Sequence, residues 1–302
     1  MTPIKFNREF DPAYGQLVTV TPLVRRLVAS NSGPFTAWGS GTYVIGHDQV
    51  AVIDPGPLDM AHVDGLLACL GGERITHLVI THTHLDHSPA AAPLAARSGA
   101  QVVGCGPHGA HGDTTEAGAD YDFVPQLQLF DGDQCSGPGW TLQAVATPGH
   151  TSNHLCYCLK EEGALFTGDH VMGWSTTVVS PPDGDMAAYM ASLEKLRLRD
   201  DRLYYPTHGA PISEPQAYVG QLLLHRRERE NQVLACLGAG CDSIDAMVRK
   251  LYANVDPGLH KAAGRSVLAH LQKLIGEGRV AVVGASAADR SPPDGDARFA
   301  LA

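Results

Sequence analysis

Positive charge is scarce in this 302-residue sequence: 22 Lys and Arg stand against 32 Asp and Glu, a net charge of −10. Such a chain repels polyanions at long range, so any nucleic-acid contact has to be local. Long apolar runs are missing too. Runs such as 50–53 and 222–224 fall far short of the ~20 residues that span a bilayer, so no transmembrane helix and no membrane partner is expected. The first residues lack a basic segment followed by an apolar core, which argues against a cleaved secretion signal and leaves the cytoplasm as the expected compartment. No C-x-x-C pair occurs among the seven cysteines, so a zinc knuckle or redox dithiol is not indicated and free, packed thiols are. Gly-x-Ser-x-Gly is also absent, which removes the commonest signature of a serine nucleophile.

What is present is enough to build a large core, since 44% of residues are hydrophobic. Up to about residue 210 short β-rich runs alternate with helical patterns, the mark of α/β architecture. Strands are legible at 41–46, 50–54, 76–81, 101–104, 140–146, 154–159 and 164–167. From Gln221 the pattern turns helical and the charge changes sign: residues 221–286 carry +3, whereas the first 220 carry −12. A boundary is therefore expected there, giving a domain over 1–220, a second over 221–285, and a tail over 286–302 without periodicity that is expected to be disordered.

The most informative segment is Thr81-His82-Thr83-His84-Leu85-Asp86-His87, directly after an apolar strand. In a short extended turn positions 82, 84 and 86 project to one side, and His87 can serve a neighbouring site. Histidines occur singly for many reasons, so the cluster needs support from elsewhere. His150 follows the strand ending at 146, Asp169 and His170 follow the one ending at 167, and His208 follows an apolar 203–205. Ligand-type residues thus collect where ligands of α/β folds bind, just past strand ends. Imidazole and carboxylate without thiolate suit zinc, with iron or manganese as alternatives. Two ions a few ångströms apart could share one carboxylate, and Asp169 is the candidate bridge.

With its later His, Asp and His, this H-x-H-x-D-H pattern resembles the metallo-β-lactamase superfamily, over residues 17–213. The resemblance implies an αββα sandwich in which His82, His84 and His150 bind a first divalent metal, Asp86, His87 and His208 bind a second, and Asp169 bridges. It further implies that Asp54, ending the strand 50–54, supports a histidine ligand from behind. True metallo-β-lactamases lack the bridging Asp, so antibiotic hydrolysis is disfavoured. The short span from Asp169 to His208 leaves no room for the inserted domain of the large nucleic-acid-processing branch. The segment 181–196, then His225-Arg-x-x-Arg229, then helices over 243–252 and 261–276 with a wing strand at 279–283 resemble the branch holding a mitochondrial endoribonuclease and fungal polyketide thioesterases, many with a winged-helix-like tail.

The expected function is a binuclear metallohydrolase: a metal-bridging hydroxide, oriented by Asp86, attacks a thioester or a phosphodiester, so the substrate is a small acyl thioester or single-stranded RNA. Alternatives are a single-strand-specific endoribonuclease, a mononuclear iron oxygenase and a non-enzymatic winged-helix regulator. His225, Arg226 and Arg229 are expected to open a helix, and either to face an anionic substrate group at the mouth of the site or to form a solvated charged face. His154 and His170 lie close to ligand positions but read more readily as packing residues than as supports of the ligands from behind, and His108 and His111 as part of a surface loop. Oligomeric state is not legible.

Overall fold

The computed structural model describes residues 4–109, 118–284 and 297–302, so His111 lies outside the described residues. Seven strands form a first sheet in chain order: β1 (Val18–Thr19), β2 (Val24–Val28), β3 (Gly41–Ile45), β4 (Gln49–Ile53), β5 (Arg74–Ile80), β6 (Gln101–Gly104) and β7 (Leu127–Gln128). The first four pair antiparallel and the rest parallel. Parallel pairing requires crossovers, and two of these are helices, α1 (Met60–Leu70) and α2 (Ala91–Ser98). α1 begins at Asp59, whose carboxylate accepts the Ala61 amide, and ends at a left-handed Gly71, the expected N-cap and C-cap chemistry.

A second sheet runs β8 (Gln134–Gly137), β9 (Trp140–Ala146), β10 (Leu155–Leu159), β11 (Ala164–Gly168) and β12 (Leu203–Pro206), antiparallel except for its last pair. Strand alternation gives each sheet two packed faces. Tyr157 of β10 and Phe166 of β11 join the core against the first sheet, whereas Cys156, Cys158 and Leu165 point the other way, onto α3 (Met186–Arg197) and α4 (Pro215–Gly238). All seven cysteines are free thiols. Two buried phenols cross between the sheets: Tyr157 donates to the Ile80 carbonyl at 2.8 Å and Tyr43 to the Pro206 carbonyl at 2.7 Å. The result is an αββα sandwich.

A smaller body follows, made of α5 (Ile244–Leu251), α6 (His260–Gly276), β13 (Val280–Val282) and β14 (Phe299–Leu301) around a core that includes Met247, Val267 and Leu271. The expected boundary at 220/221 falls inside α4. The N-terminal half of this helix, with Val219, Leu222 and Leu223, packs on the sandwich, and its C-terminal half, with Val233 and Cys236, packs in the small core. The charge switch at 221 is a property of the helix surface, while apolar residues on one helix serve both cores. The expected disorder of 286–302 is corrected at its end: Phe299 is buried and β14 pairs antiparallel with β13. Residues 285–296 lie outside the described residues. Among the described residues no helix is long and apolar enough to cross a membrane.

Candidate metal centre

The seven residues expected as ligands meet at one rim of the sandwich. His82, His84, Asp86 and His87 come from the turn after β5, His150 from the β9–β10 turn, Asp169 from the end of β11 and His208 from the end of β12. Donor atoms of His82, His84 and His150 lie within 4.8 Å of one another, as do those of Asp86, His87 and His208, and those of His82, His87 and Asp169. Asp169 stands between the groups, with Oδ1 3.3 Å from His208 Nε2, and Oδ2 3.6 Å from His87 Nε2 and 3.7 Å from His150 Nε2.

Four of the five rings have their outward nitrogen anchored by an oxygen. His82 Nδ1 is 3.0 Å from Thr81 Oγ1, His150 Nδ1 2.6 Å from the Val178 carbonyl, His208 Nδ1 3.1 Å from the Gly39 carbonyl and His87 Nδ1 2.9 Å from Asp54 Oδ2. A carbonyl or carboxylate accepts only from N–H, so the proton of a neutral ring sits outside and the inner lone pair faces the centre. Inner nitrogens then crowd: both His82 Nε2 and His150 Nε2 lie within about 3.1 Å of His84 Nδ1. Among the described residues, buried His87 Nε2 and Asp169 Oδ1 have no hydrogen-bond partner. Converging lone pairs and orphaned buried polar atoms are what a cation would satisfy, so the donor set fits divalent metal ions.

Electrostatics agree with that reading. Burial, reinforced by the adjacent His150, pushes His84 down to about 3. At His208 burial works downward but is outweighed by Asp169 and Asp86, which hold the ring up at about 10. His87 is likewise held well above its ordinary value, against burial, by Asp86 and Asp169. Burial alone would raise the Asp169 and Asp86 carboxyls, yet the neighbouring imidazoles keep both well below the usual carboxylate range.

Asp54 is buried and holds a left-handed backbone at φ 47°, a strained placement that marks functional sites. Its carboxylate accepts from the Thr81 amide at 2.9 Å and Thr81 Oγ1 at 2.7 Å while holding His87. Gly168 also has φ 51°, and a Cβ there would lie 2.6 Å from His154 Nε2, so only glycine lets β11 turn into Asp169 beside that ring.

Sequence reasoning undervalued His154. Its ring stacks on His82 with centroids 5.0 Å apart, it contacts Thr147 Oγ1 through Nδ1, and its Nε2 accepts the Asp169 amide at 3.3 Å. No motif distinguishes it from an ordinary core histidine. His170 packs on Tyr189, with both ring nitrogens unpartnered. The expectation for His225, Arg226 and Arg229 is corrected. They lie in the middle of α4, where Arg226 is buried and donates to the Thr177 carbonyl and Arg229 covers Tyr252. Thr177 Oγ1 in turn donates to the Asp169 carbonyl at 2.8 Å, so Arg226 braces the site from behind.

Above the cluster opens a cleft of about 720 Å³ floored by His84, Asp86, His150, Asp169 and His208 and walled by Phe35, Leu85, Met172, Trp174, Val178 and Leu259. Its size is that of a small-molecule site. Lys261 and Arg265 of α6 line its far side.

The sequence profile of the metallo-beta-lactamase superfamily matches residues 36–208, and that of the beta-lactamase associated winged helix domain matches residues 243–289. An atrochrysone carboxyl ACP thioesterase of Aspergillus fumigatus is 34% identical over 232 residues, 75% of this chain and 68% of that protein. Another so named from Cryptosporiopsis is 28% identical over 292 residues, 89% and 85% of the two chains. Among solved structures, a beta-lactamase domain protein of Burkholderia ambifaria superposes with a TM-score of 0.78 at 22% identity, covering 96% of this chain and 95% of that one. A metallo-beta-lactamase family protein of Thermus thermophilus gives 0.74 at 23%, covering 94% and 100%. Profile, relatives and architecture agree: the chain belongs to the metallo-beta-lactamase superfamily of hydrolases, with a C-terminal beta-lactamase-associated winged-helix domain.

Proposed function

We propose that this protein is a binuclear metal-dependent thioesterase. The observation that carries the reading is the convergence of seven His and Asp donors on the floor of an apolar-walled cleft. His82, His84 and His150 would hold one cation, Asp86, His87 and His208 the other, and Asp169 both. Bound there, two divalent ions, zinc by the donor set, would polarise the acyl oxygen and lower the pKa of water.

The chain's own residues do the rest. Asp54, Thr81, Gly39 and Val178 fix the histidine tautomers, so the inner nitrogens need no reorganisation. Asp86 lines the cleft, with Oδ2 held by Ser40 Oγ at 3.0 Å. It is the carboxylate placed to orient the attacking water and take its proton. Phe35, Trp174 and Leu85 would pack an acyl group and exclude bulk water.

The apolar wall favours a thioester over a phosphodiester chain, which would need a track of cations along its backbone. A thiol has a pKa of about 8.5, so it departs as thiolate with little help from a general acid. The names of the relatives, thioesterases of carrier-bound acyl groups, support the same bond. The test is elemental analysis of protein purified without added metal, with parallel assays on an acyl thioester and single-stranded RNA. Two zinc equivalents with thioester turnover are expected. Turnover of RNA alone, or one iron equivalent without hydrolysis, would overturn the reading.

A further inference from the structure

One wall of the cleft is unused by the hydrolysis just described. Lys261 and Arg265, on the first turns of α6, line the same space that His84 and Asp169 floor, and every other charged residue of that lining is a candidate metal ligand. Both side chains are exposed. Arg265 Nη1 donates to Ser180 Oγ at 3.3 Å, which leaves most guanidinium donors free. Among the described residues neither cation has a carboxylate partner. The same two residues border a second cavity of about 490 Å³ between α5 and α6, whose lining also holds Arg249 and Asp245. They therefore form a ridge where the cleft opens onto an outer groove.

Two cations without a carboxylate partner at the entrance of an apolar-walled cleft, on a chain of net charge −10, select for an anion. A thioester group is itself neutral, so the anion must lie elsewhere on the substrate. With the acyl group against Phe35 and Trp174, the part that reaches the outer rim is the thiol arm. In biological acyl carriers that arm is phosphopantetheine, which carries a phosphate, a natural partner for one lysine and one arginine.

We propose that Lys261 and Arg265 bind the phosphate of a phosphopantetheine-type thiol arm, so that the C-terminal module forms part of the substrate site. This rests on the thioesterase reading. The test compares one acyl group esterified to phosphopantetheine and to phosphate-free N-acetylcysteamine, in the full-length wild type, Lys261→Ala/Arg265→Gln and Lys261→Arg. S-methyl phosphopantetheine, which cannot be hydrolysed, supplies a binding probe by calorimetry. In the double variant the kcat/KM ratio of phosphate-bearing to phosphate-free ester drops roughly tenfold or more through KM, the scale of one charge-assisted contact. Binding of the probe weakens by a similar factor, and Lys261→Arg retains both.

An unchanged ratio, or equal losses on both esters with equal melting temperatures, overturns the proposal. So does wild-type turnover of both esters without binding of the probe. If neither ester is turned over while the probe binds in a ridge-dependent way, the thioesterase reading fails and the phosphate site stands.

Discussion

The metal centre and the C-terminal module are stabilised by opposite means. The centre is a buried assembly of imidazoles and carboxylates whose inner atoms repel one another or lack partners, held in place by oxygens behind four of its five rings. The module is held by an apolar core, with Met247, Val267, Leu271 and Leu274 fully buried. Chemistry at the rim depends on strain that the sandwich absorbs, while the module has no such chemistry and offers a firm platform for two cations. Perturbations of the two regions should therefore separate into loss of metal and rate on one side and loss of stability on the other.

The sharpest test of that separation is Asp169→Ala. Removing the carboxylate that faces both donor groups should cut the metal content from two equivalents to one or fewer and lower kcat by on the order of 10³ or more, several kcal/mol of transition-state stabilisation. Elemental analysis and single-turnover kinetics read it. An unchanged stoichiometry with full activity would falsify the bridging assignment. Next comes Leu271→Ala in the module. A cavity there should cost about 2–5 kcal/mol of stability in denaturant titration while the metal content stays at the wild-type level, and lost metal in folded protein would erase the distinction.

Asp54→Ala should produce a smaller effect, about 10–100-fold in metal affinity or activity, because the His87 tautomer is no longer fixed. A competitive chelator titration measures it. The smallest effect is acid sensitivity at the junction. Burial, then Arg226 and Arg229, pushes His225 down to about 4. Between the unfolded value near 6.5 and about 4 the unfolded chain binds more protons than the folded one. Stability from this group is thus complete above pH ~6.5 and is lost as pH falls toward 4. His225→Gln should flatten the melting temperature over that window by on the order of 1–3 °C, and an unaltered slope would remove His225 as the cause.

The sandwich and its ligands were legible because their signals are local. The strand 76–81 is centred on the apolar Leu78-Val79-Ile80, and His82, His84, Asp86 and His87 follow it within six positions. The cysteines were expected to be free, packed thiols, and Cys156 and Cys158 lie in the core against α3. What the sequence concealed was long-range. Lys261 and Arg265 are nearly a hundred residues beyond Asp169 and reach the cleft only because α6 docks on the sandwich. Arg226 was placed at the mouth or on a solvated face from its charge, whereas its helical phase buries it under Thr177. His154 is chemically the same as a core histidine until Asp169 folds against it. Phe299 closes a strand from a segment whose composition gives no periodicity.

The two inter-sheet phenols act as gauges. Tyr157 ends on the carbonyl of Ile80, two residues before His82, and Tyr43 ends on the carbonyl of Pro206, two residues before His208. An aromatic ring is incompressible and its length is fixed, so each phenol sets how far apart the sheets stand where they present their ligands. The spacing between the two halves of the candidate centre is thus calibrated by rigid spacers buried in the core, remote from the donor groups whose separation they determine.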